Sequence, residues 1–245
     1  MKLLRTLIAG LGAASLVLSA SAAGGAKKPK EPEGGWPFQG PLGELDMESA
    51  QRGYQVYKEV CASCHSMELL SYRNLAEPGA PFYDSSYSNP NDNPLIKAIA
   101  AAARVYDPYA SDADDDGFRP ARPSDRFVSP YPDEQTARAA NGGAYPPDFS
   151  VITKARGKGN EGDGATYVYA LIKGYPEPEK IKRRTNAEGI PETYITFDKD
   201  ETIGELTQPA GQYYNPYMPG DASAQWEGDP RHVPYGGFLA MGPQL

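Results

Sequence analysis

The sequence predicts a mainly α domain with long loops, and three features point that way. Apolar residues recur at near-helical spacing over 47–60, 95–106, 135–140, 150–156 and 165–173. Between these segments stand most of the 26 Gly and 24 Pro of a 245-residue chain, a density that cuts the chain into short elements. After Tyr175 the chain reads as loop, with one extended piece at 193–197.

The elements follow in order. Residues 23–40 are rich in Lys, Pro, Gly and Glu and read as a surface arm that continues to Asp46. Asp46 is an N-cap for a helix over 47–60, whose stripe is Tyr54, Val56, Tyr57 and Val60. Gly53 interrupts that helix, which lowers its propensity unless something packs closely there. A Pro-, Asn- and Ser-rich loop spans 75–93, and an Ala-rich helix follows at 95–106. Asp112, Asp114, Asp115 and Asp116 form an acidic turn. It follows a calcium-loop pattern only in part, because the twelfth position holds Pro123 where a Glu is required. The helix at 135–140 stops at Asn141-Gly142-Gly143, and Pro146-Pro147-Asp148 opens the next. The last, 165–173, points Val168, Leu171 and Ile172 inward and stops at Gly174. No internal repeat is present.

Composition excludes several classes. A net charge of −8 argues against nucleic acid, whose binding needs clustered Lys and Arg. Two cysteines cannot build a disulfide scaffold. The single long apolar run, 7–18, follows Lys2 and Arg5 and precedes Ala20-Ser21-Ala22, the pattern of a cleaved secretory signal over 1–22. Loss of Lys2 and Arg5 takes the charge from −8 to −10, and the mature chain starts near Ala23 in an oxidising compartment.

The chemistry lies in Cys61-Ala62-Ser63-Cys64-His65, a C-x-x-C-H haem-attachment motif. Two thiols at this spacing can add across two vinyl groups, and the next residue, His65, then lies under the iron as proximal ligand. A thiol-redox site would need no following His and favours a βαβ setting, which is absent. A zinc site needs further Cys or His ligands, and only the distant His232 remains. An electron carrier also wants a sixth iron ligand, and a thioether suits that task. Met1 leaves with the signal, Met47 lies far up the helix, and Met67 is too close to His65 to reach the opposite face. Met218 and Met241 remain near-equal candidates on spacing, with His232 a third.

The residues from about 45 to 245 resemble the cytochrome c1 family, the haem subunits of ubiquinol–cytochrome c reductase (the cytochrome bc1 complex), in their bacterial form. The resemblance is carried by RGYQVYKEVCASCHSM and YRNL within 52–75, and by RPARPSDRF at 119–127. It continues through TARAANGGAYPPDFSVITKAR at 136–156, YVYALIKGYPEP at 167–178, YYNPYMPG at 213–220 and GGFLAMGPQL at 236–245. It implies an α-helical class I cytochrome c core over 47–245 with one covalent haem c on Cys61 and Cys64. It implies His65 and Met241 as the iron ligands, which favours Met241 over Met218. It assigns Arg119 to a haem propionate and Asn141, Ala144, Pro146 and Pro147 to a loop lining the haem. The implied partners are cytochrome b, the Rieske iron–sulfur protein as donor and a c-type cytochrome as acceptor, at the periplasmic face of the bacterial inner membrane.

Departures from the family are equally specific. Arg126 stands where the family has an aromatic residue, which puts a second propionate-side contact in doubt. Residues 221–235 read as an insertion before the distal Met. The family continues past that Met with a helix packing on the first one and then a membrane anchor, so this chain reads as C-terminally incomplete, with Gly53 and Tyr57 shaped to receive the absent helix. Two other function classes compete with the electron carrier. One is a haem enzyme or gas or redox sensor with an open sixth position, which would bind carbon monoxide readily. The other is an assembly protein with an incidental haem.

Overall fold

A computed structural model describes residues 25–157, 163–199 and 202–244. The proposed signal, 1–22, lies outside the described residues. The described backbone divides into two compact units, one within 31–168 and one formed by 25–30 with residues from 169 to 244. Among the described residues there are five α-helices, six single-turn 3-10 helices and eight strands.

In the 31–168 unit, α1 (Met47–Glu59) begins as predicted at Asp46, whose carboxylate accepts the N–H groups of Glu48 and Ser49. It has no fully buried residue. Tyr54 and Tyr57 turn inward against Phe127, while Val56, assigned to the buried stripe by spacing, is 38% exposed. A Cβ added at Gly53 would meet nothing within 4 Å. The core gathers Tyr72, Leu75, Ala76, Ile96, Ala100, Ala121 and Phe127, with Tyr72 and Phe127 stacked at 4.4 Å. The predicted 95–106 helix is split. α2 (Pro94–Ala101) ends early, and β1 (Arg104–Tyr106) pairs antiparallel with β2 (Phe118–Pro120), Val105 opposite Arg119. An Ala run favours helix locally, but Arg104 ion-pairs with Asp114 across the hairpin and the β-branched Val105 fits a ladder. α3 (Glu134–Ala140) stops at Asn141, and Gly142 and Gly143 take φ values of 61° and 92° that end the helix. α4 (Ile152–Arg156) is shorter than predicted.

α5 (Asp163–Lys173) runs across the boundary between the units. Its buried positions are Gly164, Thr166 and Ala170, whereas Val168, Leu171 and Ile172 are half-buried.

The other unit overturns the mainly α prediction. Strands are a second major component, and the stretch read as loop after Tyr175 builds most of them. β3 (Ile181–Thr185), β4 (Pro191–Lys199), β5 (Thr202–Gln208) and β7 (Trp226–Gly228) form a four-stranded antiparallel sheet in the order β3-β4-β5-β7. β6 (Tyr213–Asn215) pairs with β8 (Gly237–Leu239). The expected extended piece at 193–197 is the middle of β4. The rest escaped prediction because the signal in each strand is thin. Ile195 is the fully buried side chain of β4 and Leu206 that of β5, joined below by Tyr214 and Ala222. The opposite face is held by charge: Arg184 bonds Glu192, Glu205 and Glu227 on three other strands and lies 4.6 Å over the Tyr194 ring. The insertion at 221–235 is therefore part of the sheet, since it supplies β7 and the buried Ala222. The N-terminal arm is not loose at 25–30 either. Lys27 donates its N–H to the Pro216 carbonyl, and Gly25 accepts that of Gly236, both at 2.7 Å.

Candidate haem-attachment site

α1 delivers the chain into a 3-10 turn at Cys61–Ser63. The N–H groups of Cys64 and His65 both bond the Cys61 carbonyl, at 3.1 and 2.8 Å. That tightened turn sets both thiols and the imidazole on one short stretch of backbone. Cys61 and Cys64 are half-buried and unbridged. Burial, and then the neighbouring Cys64, push the Cys61 thiol above its ordinary value.

His65 is 9% exposed. Its Nδ1 lies 2.8 Å from the Pro147 carbonyl oxygen. A carbonyl can only accept, so Nδ1 carries the proton and Nε2 keeps its lone pair. Burial lowers the imidazole pKa, and the Pro147 bond opposes it; the net effect favours the neutral, ligating form. The Phe149 ring stacks on the imidazole at 4.1 Å with planes 21° apart. The Tyr57 hydroxyl donates to the His65 carbonyl at 3.1 Å.

The segment after His65 is fastened to the Pro-Pro loop by Asp148. Its Oδ2 accepts from the Ser66 hydroxyl (2.7 Å) and the Glu68 N–H (2.8 Å), and its Oδ1 from the Ser150 N–H (2.8 Å). Burial alone would raise this carboxylate's pKa, but the bonds from Ser150, Glu68 and Ser66 outweigh it and leave the value lowered. The spacing read Asp148 as a helix start; its bonds lead back to residues near His65 instead. Neither Asp148 nor Phe149 was identified as a site residue from the sequence. Asp-x-Ser directly after Pro-Pro was the available signal, since such a carboxylate readily accepts N–H groups in a turn.

Of the pocket-loop residues, Pro147 touches His65 directly, and Pro146 shares with Cys64 the wall of a cleft of about 220 Å³. Asn141 serves the loop itself: its amide donates to the Tyr131 hydroxyl (3.0 Å) and the Ala137 carbonyl (2.7 Å). Ala144 closes the same turn through its N–H to the Asn141 carbonyl. Arg119 has a side chain only 7% exposed and is held by two carboxylates. Its Nε donates to Asp107 (2.9 Å), Nη1 to Asp125 (2.6 Å) and the Pro120 carbonyl, and Nη2 to Asp125 (3.1 Å). Those bonds raise its already high pKa, Asp125 contributing most. Arg126 donates to the Glu68 carbonyl at 2.8 Å.

Met241 belongs to the other unit, two residues beyond β8. Its carbonyl accepts the Tyr175 hydroxyl at 2.6 Å, which ties down the backbone there. Met218 sits in the turn that bonds its N–H to the Asn215 carbonyl, and His232 lies beside Asp229. In the acidic turn, Asp112 pairs with Arg122, and Asp114 pairs with Arg104 while accepting the N–H groups of Asp116 and Phe118. Among the described residues no group of three or more His, Cys, Asp or Glu is placed to hold a metal ion. No described helix is long and apolar enough to cross a membrane.

The donor set of the 31–168 unit fits covalent attachment of a haem c: two free thiols on one turn and a neutral imidazole with Nε2 unprotonated.

Comparison with known proteins agrees. The model of the Cytochrome C1 family matches residues 36–245. The chain is 40% identical over 206 residues to cytochrome b/c1 of Bradyrhizobium diazoefficiens, covering 79% of this chain and 25% of that protein. It is 40% identical to cytochrome c1-2, a mitochondrial heme protein of Solanum tuberosum, over 87% of this chain and 65% of that one. It is 35% identical to cytochrome c1 of Rhodospirillum rubrum, over 76% and 60%. The chain thus spans from a quarter to just under two thirds of these relatives.

Proposed function

Because the chain belongs to the cytochrome c1 family, we propose that it is a one-electron carrier of a cytochrome bc1 complex. In this reading it takes an electron from the Rieske iron–sulfur protein and passes it to a c-type cytochrome, beside cytochrome b, at the periplasmic face of a bacterial inner membrane. The observation that carries it is the His65 arrangement. A 3-10 turn presents both thiols, and the Pro147 carbonyl fixes the proton on Nδ1 so that Nε2 can bind iron.

The haem c of this family supplies a one-electron iron couple when bound. Everything else is the work of the chain. Cys61 and Cys64 hold the group covalently. His65 and Met241 would hold the iron, and an imidazole together with a thioether would favour the reduced state and a high potential. Pro147 raises the basicity of the imidazole by accepting its Nδ1 proton. Arg119 is assigned to a propionate; its Nη2 has one N–H beyond the bond to Asp125 for that contact. No substrate bond is made or broken. The net charge of −8 would favour a basic acceptor.

The test is haem retention, ligation and electron flow on the haem-loaded chain. Haem is expected to survive denaturing electrophoresis and to be lost in Cys61→Ser and Cys64→Ser. Carbon monoxide is expected not to bind, and a Rieske fragment to reduce the chain. Ready binding of carbon monoxide would replace the carrier with an open-site haem protein.

A further inference from the structure

The segment that faces His65 carries an aromatic residue, Phe149, stacked on the imidazole. Residues 147–150 and 65–69 are laced together by five hydrogen bonds. His65 Nδ1 donates to the Pro147 carbonyl, the Phe149 N–H to the Ser66 carbonyl, the Ser66 hydroxyl and Glu68 N–H to Asp148, and the Leu69 N–H to the Ser150 hydroxyl. The bonded partners lie 80 or more positions apart in the chain, so this is tertiary fastening and not a local turn. It leaves Phe149 no freedom to slide along the ring it covers. Its own N–H is bonded at 2.8 Å, and the residues on either side are each anchored.

We propose that Asp148 and Phe149 are positioning residues for the iron ligand: Phe149 fixes the plane of the His65 ring, and Asp148 fixes Phe149. The proposal rests on the haem reading above. A ring hydrogen-bonded only through Nδ1 can still swing about that bond. A second ring parallel to it at 4.1 Å removes the swing, because rotation would lose the stack or drive the edges together. The orientation of an axial imidazole plane sets which iron d orbital it overlaps. It therefore sets the pattern of unpaired spin over the haem in the oxidised state. Such control by the groups behind a ligand is a general feature of metal sites.

The two residues divide the task. Phe149 supplies the flat face, which a leucine of comparable bulk cannot. Asp148 supplies a carboxylate with two acceptor oxygens, where an asparagine would turn an N–H₂ toward a donor at one of them.

The experiment uses the haem-loaded full chain and compares Phe149→Leu, Phe149→Tyr and Asp148→Asn. Three properties are read: covalent haem content, the hyperfine-shifted haem-methyl proton resonances of the oxidised protein, and the midpoint potential. Phe149→Leu is expected to keep full haem content yet reorder or compress the methyl resonances and shift the potential. Phe149→Tyr, which keeps the ring, is expected to restore the parent pattern. Asp148→Asn is expected to move the resonances in the same sense as Phe149→Leu. Parent-like resonances in Phe149→Leu would overturn the proposal, as would equal disturbance by Leu and Tyr, since bulk and not the flat face would then be what matters. A parent chain that carries no covalent haem would instead overturn the underlying haem reading.

Discussion

Arg119 and Asp125 form a two-pronged ion pair, with Nη1 2.6 Å from Oδ2 and Nη2 3.1 Å from Oδ1. Asp125 also accepts the Arg122 N–H, so one carboxylate pins both the guanidinium and the backbone of the turn that follows β2. The Arg119 bond is the main reason its pKa is lowered from 3.8. Asp125→Asn is expected to cost about 1.5–3 kcal/mol of stability at pH 7, the range for a hydrogen bond to a charged group. A depressed folded pKa gives stability that is complete above the unfolded value of 3.8 and is lost as pH falls through the folded value. The gap between parent and variant in urea melts should therefore be full at pH 7 and shrink below pH 3.8. A gap that is unchanged at low pH would remove the ion pair as its cause.

Met241→Ala is expected to leave haem attached through Cys61 and Cys64 while lowering its potential and opening it to carbon monoxide. Met218→Leu should do neither. Difference spectra with and without carbon monoxide decide between them, and the reverse result would transfer the distal role to Met218.

Gly236→Ala tests how Met241 is held. Gly236 has φ 120°, and an added Cβ would lie 2.4 Å from the Asn215 carbonyl oxygen. The variant is expected to lose at least about 1 kcal/mol. Loosening of β8 should also raise the fraction of haem that binds carbon monoxide. A lower thermal midpoint with no gain in carbon monoxide binding would show that β8 does not restrain the ligand segment.

Arg184→Ala leaves Glu192, Glu205 and Glu227 on one sheet face without their shared cation. The site is partly exposed, so the expected loss is small. Added salt should recover part of it by screening the carboxylates from one another. Amide exchange is the measurement: β3 should exchange faster, and the Tyr72–Phe127 core should not. Uniform acceleration across both units would contradict a local role for the network.

The haem motif and the helix feeding it were legible in the sequence because their information is local. Asp46 caps α1 with its own side chain, and C-x-x-C-H names its chemistry by spacing alone. The stop at Asn141-Gly142-Gly143 was readable for the same reason, since the positive φ values demand glycine. The four-stranded sheet was not. Among its described residues, only β4 and β5 fully bury a large apolar residue, one each, and the sheet's cohesion depends on Arg184 meeting glutamates 8, 21 and 43 positions away. The grip of Asp148 on Ser66 and Glu68 was hidden likewise: a carboxylate after Pro-Pro announces a turn, and nothing local says which distant donors fill it.

Asn215 and Gly237 are ladder partners, and with Leu239 opposite Tyr213 they anchor the approach to Met241. The chain from 216 to 236 therefore departs and returns at one place, like a loop of thread tied at its base. Doubling the length of such an excursion costs only about 0.6 kcal/mol in closure entropy. Evolution can lengthen or trim its unpaired stretches while the knot stays where it is. Changes of length confined to those unpaired stretches thus leave the β6–β8 pairing, and the approach to Met241, in place.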